Sequence, residues 1–384
     1  MLRVLHVVPN INLKQGGPAR SVLALIEALR RVEGLQLSLA TASSEELVEH
    51  PLQISGRWSL INAASRPVLE QAIQQSDLVE LHSIWNGVIS YAGKTARLMN
   101  KPYIYTPHGM LDPYCLRSRS WLKKIWAISG EERNIAGARG FHVLSEEEKS
   151  GILQARPYLS GKKFVVSPNG VDVQRMDQPA GVMNNKFPDT LGRKVVLFLG
   201  RLDVIKGLEL PLQAIASMEP HQRPMILLVG PDFGDEGRLK KLAATLGIAP
   251  WVIFAGPVYG DDRFSLLAEA DLVGLTSHYE CNSVTATEAL AVGGAVLATE
   301  GSSLRHAALA GAAKVVPRTA EAYAKALHDL LYDERQLRNL RKSARLYAQR
   351  QLNWDRLVVP LVELYRKIAM QQPARGESCV KGID

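Results

Sequence analysis

Ser277-His278-Tyr279-Glu280-Cys281-Asn282-Ser283-Val284-Thr285-Ala286-Thr287-Glu288 runs on through Ala289 to Gly294 and into the apolar run Ala295 to Thr299. Asn282 and Ser283 are good N-caps, the small and apolar residues after them suit a buried helix, and Gly293-Gly294 supply its C-terminal stop. The stretch therefore reads as loop, helix and buried strand, a unit of a parallel α/β sheet. Two carboxylates eight positions apart bracket the helix start. Glu280 precedes it on a loop, whereas Glu288 lies about a turn and a half inside, among Val284, Ala286, Ala289, Leu290 and Val292. An unpartnered carboxylate there is costly, so something must hydrogen-bond it. Two readings stand. In one, free N–H groups of the helix start attract phosphate while the acids accept from hydroxyls, which seats a phosphorylated sugar. In the other, Glu280 complements the helix dipole and Glu288 bonds to neighbouring Thr or Ser hydroxyls.

Outward from this unit, short apolar runs alternate with amphipathic helical patterns. Towards the N-terminus the sequence predicts strands at Leu2–Val8, Leu35–Thr41, Leu78–His82, Tyr103–Pro107, Phe141–Leu144 and Lys163–Ser167, with a helix from Pro18. Between Val173 and Arg193 the pattern lapses into Gln, Asp, Pro, Gly and Asn, which predicts a linker. The rhythm restarts at Lys194–Leu199, Met225–Val229, Trp251–Ala255, Asp271–Leu275, Ala295–Thr299 and Lys314–Val316. A polar-faced helix over Glu334–Arg350 leads through Asn353-Trp354-Asp355 to a last helix near Val358–Met370. The expectation is two doubly wound parallel-sheet domains, residues 1–175 with a returning C-terminal helix about 356–371, and residues 176–355. Residues 372–384 read as a flexible tail.

Composition agrees with a globular α/β protein. The chain has 384 residues, 46% hydrophobic and 22% charged, too long for one ordinary core. Its 46 basic against 38 acidic residues give a net charge of +8, which favours anionic partners without choosing among them. Three widely spaced cysteines, Cys115, Cys281 and Cys379, predict a reducing compartment and neither a disulfide framework nor a metal-ligand spacing. Leu2 to Pro9 is too brief for a signal-peptide core, and no run reaches the length of a membrane span. The reading is a cytoplasmic protein, soluble or on a membrane surface.

In parallel-sheet domains ligands bind past the carboxyl ends of strands. After the first strand, Lys14-Gln15-Gly16-Gly17-Pro18-Ala19-Arg20 offers bare backbone donors to an anion, or forms a plain tight turn; its spacing is not a dinucleotide fingerprint. His82, ahead of Ser83, Trp85 and Asn86, ends the third predicted strand, and His108 follows the fourth. Leu199-Gly200-Arg201-Leu202-Asp203-Val204-Ile205-Lys206-Gly207 brings two cations to one strand end. A surface salt-bridge pair is the plain alternative; a forked arginine and a point-charged lysine suit a phosphate. Gly256-Pro257-Val258-Tyr259 is a strand-end turn able to lend backbone groups to a nucleobase.

Glu280 with Glu288, Gly200-Arg201 with Lys206-Gly207, Pro168-Asn169-Gly170-Val171-Asp172, the Gly16-Gly17 loop and Pro107-His108-Gly109 together resemble the family 4 retaining glycosyltransferases, of the bacterial surface-polysaccharide type. The resemblance spans Leu5 to Trp354, with the motifs in order. It implies the GT-B fold, two Rossmann-like domains facing across a cleft with the final helix crossing back to the first. It further implies a hexosyltransferase that takes a nucleotide-sugar donor, mainly on the C-terminal domain, and a saccharide or lipid-linked saccharide acceptor, mainly on the N-terminal one.

Carried over residue by residue, Arg201 and Lys206 bind the donor diphosphate, and no metal and no cofactor is required. Glu288 accepts from ribose hydroxyls, Glu280 contacts the sugar, and His108 reaches the transferred sugar. Gly16, Gly17, Asn282, Ser283, Gly256 and Val258 complete the donor set, with His82, Trp85 and Asn86 on the acceptor side. A UDP-sugar is the default from family frequency. Retention by a front-face route follows, in which the departing phosphate draws the acceptor's proton. The sequence departs from the family at Cys281, Asn282, Ser283 and Gly294-Ala295, which touches the donor-sugar side. A same-fold sugar-nucleotide epimerase or hydrolase, or a non-catalytic nucleotide-sugar-binding protein, is the alternative. Residues 113–128 interleave Arg117, Arg119, Lys123 and Lys124 with Tyr114, Trp121 and Trp126 without one acid, which suits an anionic membrane surface or an ordinary solvated helix. No nucleic-acid fold motif accompanies the charge.

Overall fold

The structure is a computed structural model that describes residues 1–11, 17–42, 58–62, 65–113, 115, 130–172 and 180–371. The chain forms two compact units. One takes in Met1–Asn12, Ile26–Ser167 and Val358–Asp384; the other takes in Leu13–Leu25 and Pro168–Leu357.

The first unit is a seven-stranded parallel sheet: β1 (Leu2–Val8), β2 (Leu35–Thr41), β3 (Trp58–Asn62), β4 (Leu78–His82), β5 (Tyr103–Thr106), β6 (Gly140–Val143) and β7 (Lys163–Val166), in spatial order β3-β2-β1-β4-β5-β6-β7. Strands β1, β4, β5 and β6 are buried almost throughout because both faces are covered, as in a parallel sheet flanked by helices. One core layer joins Leu5, Val79, Leu81, Tyr105, Phe141 and Val143 with Ile89 and Ala92 of the helix Gly87–Leu98. Strand β3 went unread in the sequence: it is a short strand at the sheet edge, paired only through β2.

The second unit is a six-stranded parallel sheet: β8 (Val195–Leu199), β9 (Met225–Val229), β10 (Val252–Gly256), β11 (Leu272–Leu275), β12 (Val296–Thr299) and β13 (Lys314–Val316), in order β10-β9-β8-β11-β12-β13. The stretch that opened the sequence reading folds as predicted, with the helix Val284–Ala291 capped by Ser283. Part of the expected linker is structured. Residues Val182–Lys186 form a short helix whose Val182 and Met183 amides both donate to the Glu269 carboxylate at 3.0 Å, and Met183 is buried. An acid 87 residues beyond Val182 fixes this helix, which a local pattern cannot reveal.

The last helix, Trp354–Ala369, begins in the second unit, and from Val358 onward it belongs to the first, where Leu361, Tyr365 and Ile368 are buried. In each sheet the strand order turns back between two neighbours, β1 with β4 and β8 with β11. The crevice at such a turning point is where open parallel sheets take ligands. No helix among the described residues is long and apolar enough to cross a membrane.

Candidate active site

In the second unit the site grows from the ends of β8 and β11. Past β8 the chain runs through Gly200 to Arg201 and Leu202, and then Asp203 caps a single turn, Val204–Lys206, by accepting from the Ile205 amide at 3.1 Å. Gly207 ends that turn at φ +60°, and a Cβ there would lie 2.4 Å from both the Thr276 carbonyl and the Arg318 guanidinium. Only glycine fits such a corner without displacing backbone. Past β11, the Thr276 hydroxyl donates to the Lys206 carbonyl at 3.1 Å and the His278 amide to the Ile205 carbonyl at 2.8 Å. The two loops are thus tied to one another.

Arg201, Lys206, Ser277, Glu280, Ser283 and Thr285 line one cavity of about 30 Å³. Glu280 accepts from the Ser277 hydroxyl at 2.8 Å and pairs with the Lys206 ammonium, while its own amide donates to Gly301 at 2.8 Å. The Arg201 guanidinium lies over the Phe233 ring, 4.8 Å from its centre. Ser283 caps the helix through the Ala286 amide at 3.3 Å, and Thr285 donates to the Leu199 carbonyl at 3.0 Å, fastening the helix start to β8. Two cations, one acid and a helix N-terminus border this one small cavity, a set of groups whose chemistry suits an anion bearing hydroxyl groups.

Glu288 is partnered by a residue the sequence reading missed. Arg263 grips it with Nη2–Oε1 at 3.0 Å and Nε at 3.2 and 3.3 Å to the two oxygens, and Thr287 turns to Ser283 instead. The signal was the buried acid itself, whose need for a forked cation exceeds what a hydroxyl supplies. Arg20, in the 13–25 segment that groups with this unit, has Arg263 and Glu288 as charged neighbours, and burial first of all lowers its pKa. Asn282 accepts from the Asn169 amide at 3.2 Å, and Val258 packs on the apolar core beside Gly256, which ends β10. Gly17 opens the first helix; Gly16 and most of 113–128 lie outside the described residues.

In the first unit, β1, β4, β5 and β6 carry a buried polar cluster. Glu80, wholly buried, accepts from Tyr365 and Thr106 and sits 3.0 Å from His142 Nδ1, whose Nε2 faces the Ser167 carbonyl at 3.0 Å. Both His142 nitrogens thus face acceptors, and its pKa is raised even though burial opposes it, because Glu80 hydrogen-bonds it; Glu80 in turn is held well below the usual carboxylate range by its histidine neighbours against its own burial. His6 Nδ1 lies 3.0 Å from His82 Nε2, and His82 Nδ1 lies 3.3 Å from His108 Nε2. His108 is partly buried, at φ +52°, and burial pushes its pKa down to about 4. A left-handed non-glycine residue persists only where its surroundings hold it. Here Glu148 does so, accepting from the Gly109 amide at 2.6 Å and from Leu144 at 2.7 Å.

This corrects the acceptor-side reading of His82. His82 is wholly buried with both ring nitrogens facing other histidines, so it has no atom left for a saccharide. Asn86 caps the helix Gly87–Leu98, accepting from Val88 at 3.0 Å, and Trp85 packs against the core. The ligating atoms of His6, Glu80 and His82 lie within 4.8 Å of one another, but those that face each other already act as mutual hydrogen-bond partners.

Two family models match the chain in succession: "Glycosyltransferase Family 4" over residues 15–175 and "Glycosyl transferases group 1" over residues 183–347. A D-inositol 3-phosphate glycosyltransferase of Corynebacterium urealyticum is 26% identical over 316 residues, 76% of this chain and 72% of that one. For five such relatives the aligned stretch spans 55 to 73% of their own length. Among solved structures, a sucrose-phosphate synthase from Thermosynechococcus elongatus superposes with a TM-score of 0.75 at 20% identity, covering 97% of this chain and all of that one. Anabaena HepE in complex with UDP-glucose does so with a TM-score of 0.77 at 16% identity, covering 96% and 100%.

Proposed function

The chain belongs to the family 4 glycosyltransferases of GT-B fold, and from that premise we infer that it is a retaining, metal-independent hexosyltransferase using a nucleotide-diphosphate sugar. The observation that carries the reading is the single cavity lined by Arg201, Lys206, Glu280, Ser283 and Thr285 at the carboxyl ends of β8 and β11. The two cations neutralise the diphosphate as the bond from the anomeric carbon to phosphate oxygen breaks, and the leaving charge is the largest that the reaction develops. With lysine and arginine supplying that charge, a divalent ion is not needed. Glu280 contacts the hexose, and Glu288 accepts from the ribose hydroxyls with Arg263 beside it. The acceptor oxygen bonds to the anomeric carbon on the face the diphosphate leaves, and its proton passes to the departing phosphate, so configuration is kept. In the first unit, His108 contributes a hydrogen bond to a sugar hydroxyl of the substrate.

Uridine is the base we assign, supported by the UDP-glucose named with Anabaena HepE. The acceptor we assign is a saccharide or lipid-linked saccharide in exopolysaccharide or glycolipid synthesis at the cytoplasmic face, supported by the basic and aromatic sequence of residues 113–128. The name of the Corynebacterium relative adds inositol 3-phosphate to the acceptors worth assaying. The test is a thermal-shift screen against uridine, guanosine and adenosine diphosphates and their sugars, followed by transfer assays with and without EDTA. A selective upward shift with one diphosphate, and chelator-insensitive transfer with retained configuration, is expected. Donor cleavage without acceptor, or donor binding without any transfer, would overturn it.

A further inference from the structure

The chain of three histidines in the first unit has a direction. His6 and His82 are wholly buried, and burial first of all pulls both below the ordinary histidine range, so each is a neutral imidazole with one ring proton. For His6 two positions compete. Nε2 is buried without a hydrogen-bond partner among the described residues, whereas Nδ1 lies 3.4 Å from Glu80 Oε2 and 3.0 Å from His82 Nε2. A proton on Nε2 would strand a buried donor and turn the Nδ1 lone pair towards a carboxylate. A proton on Nδ1 is donated to His82 Nε2 and turns the positive end of the N–H towards the Glu80 carboxylate.

The remaining protons follow by necessity. His82 Nε2 accepts from His6, so its own proton sits on Nδ1, 3.3 Å from His108 Nε2. His108 Nε2 is then an acceptor, and its proton is forced onto Nδ1. Around this chain, Tyr365, Thr106 and His142 hold Glu80, and Glu148 holds the backbone beside His108. Each end of the relay is therefore fixed by groups outside it.

We propose that Glu80, acting through His6 and His82, fixes His108 as its Nδ1–H tautomer, so that His108 meets substrate as a hydrogen-bond donor. His82 is in this sense a positioning residue, not a catalytic one. The tautomer stands on the cluster's geometry and burial; its value for transfer rests on the role of His108 in the proposed function. A neutral donor suits an uncharged sugar hydroxyl, whereas the opposite tautomer would offer that hydroxyl a lone pair.

The experiment is long-range 15N–1H correlation spectroscopy on the full chain with 15N-labelled histidine, where the two tautomers give distinct nitrogen shifts. A protonated Nδ1 and an unprotonated Nε2 at His108 are expected; the reverse would overturn the proposal. His82→Leu removes the donor, so His108 should then sample both tautomers and kcat should fall about tenfold, the worth of one neutral hydrogen bond, with donor KM unchanged. His82→Asn keeps an N–H close to the position of Nδ1 and should restore both readouts. A His108 that stays purely Nδ1–H in His82→Leu would also overturn it. The spectroscopy needs no substrate, so it fails or succeeds independently of the transferase reading, and the wild-type spectrum decides even where a variant does not fold.

Discussion

Both units place polar groups at the strands between which the order of the sheet turns back, within the strands in the first unit and just past them in the second, and they treat those groups in opposite ways. In the first unit Glu80, His6, His82 and His142 are sealed, and every charge has its counterpart inside the cluster. In the second, Lys206 and Glu280 keep 27% and 13% of their side-chain surface and border a cavity. A sealed cluster holds geometry, whereas an open ion pair can exchange one partner for a ligand of the same sign. The difference separates residues that position from residues that bind, although both sets consist of the same residue types.

The sharpest way to break this contrast is to remove the sealed charge. Glu80→Ala takes the acceptor from the buried Tyr365, Thr106 and His142 donors and should lower stability by about 3–5 kcal/mol in urea unfolding; a loss below 1 kcal/mol would mean that the cluster is not what holds the first unit. Next comes Lys206→Ala. It should cost roughly a hundredfold in turnover, about 3 kcal/mol of transition-state stabilisation, while the urea midpoint stays at the wild-type value. A variant that unfolds early but turns over normally would make the open pair structural and erase the distinction.

Acid offers a milder probe. His6, His82 and His108 have folded pKa values below the unfolded value of about 6.5, so unfolding takes up protons and stability falls as pH drops from there towards 4. Glu80, depressed, adds stability above the usual carboxylate pKa that is lost on further acidification; His142, raised, works in the opposite sense and loses its contribution as pH rises through its folded value. The urea midpoint should accordingly be lower at pH 5 than at pH 7.5, with a slope of about 1.4 kcal/mol per pH unit for each proton taken up, and equal midpoints would contradict the sealed cluster. Smallest is Ser283→Ala. Loss of the cap should cost about 1 kcal/mol and raise donor KM through a frayed helix start; an unchanged KM would detach that helix from the donor site.

The sequence yielded the strands well because buried parallel strands advertise themselves as apolar runs, and Met225–Val229 and Lys314–Val316 were bounded to the residue. It also brought Arg201, Lys206 and Glu280 together, since each follows a strand end. What it missed was long-range pairing. Arg263 lies 25 positions before Glu288, and Glu269 fixes a helix that starts at Val182. His82 was read as an acceptor-side residue because it ends a strand, whereas it is wholly buried. Yet Glu80 and His82 stand two apart in an otherwise apolar strand and so share a face, with His6 similarly isolated in β1. Three polar residues on adjacent buried strands must satisfy one another, and that inference was within reach.

The phenol that completes Glu80 comes from Tyr365, near the end of the last helix. During synthesis the sheet of the first unit is finished at β7, but its carboxylate waits for almost two hundred further residues. At ordinary translation speeds that is a delay of roughly 10 to 40 s, through which the nascent first unit must survive with an unclosed interior while its neighbour is still being made.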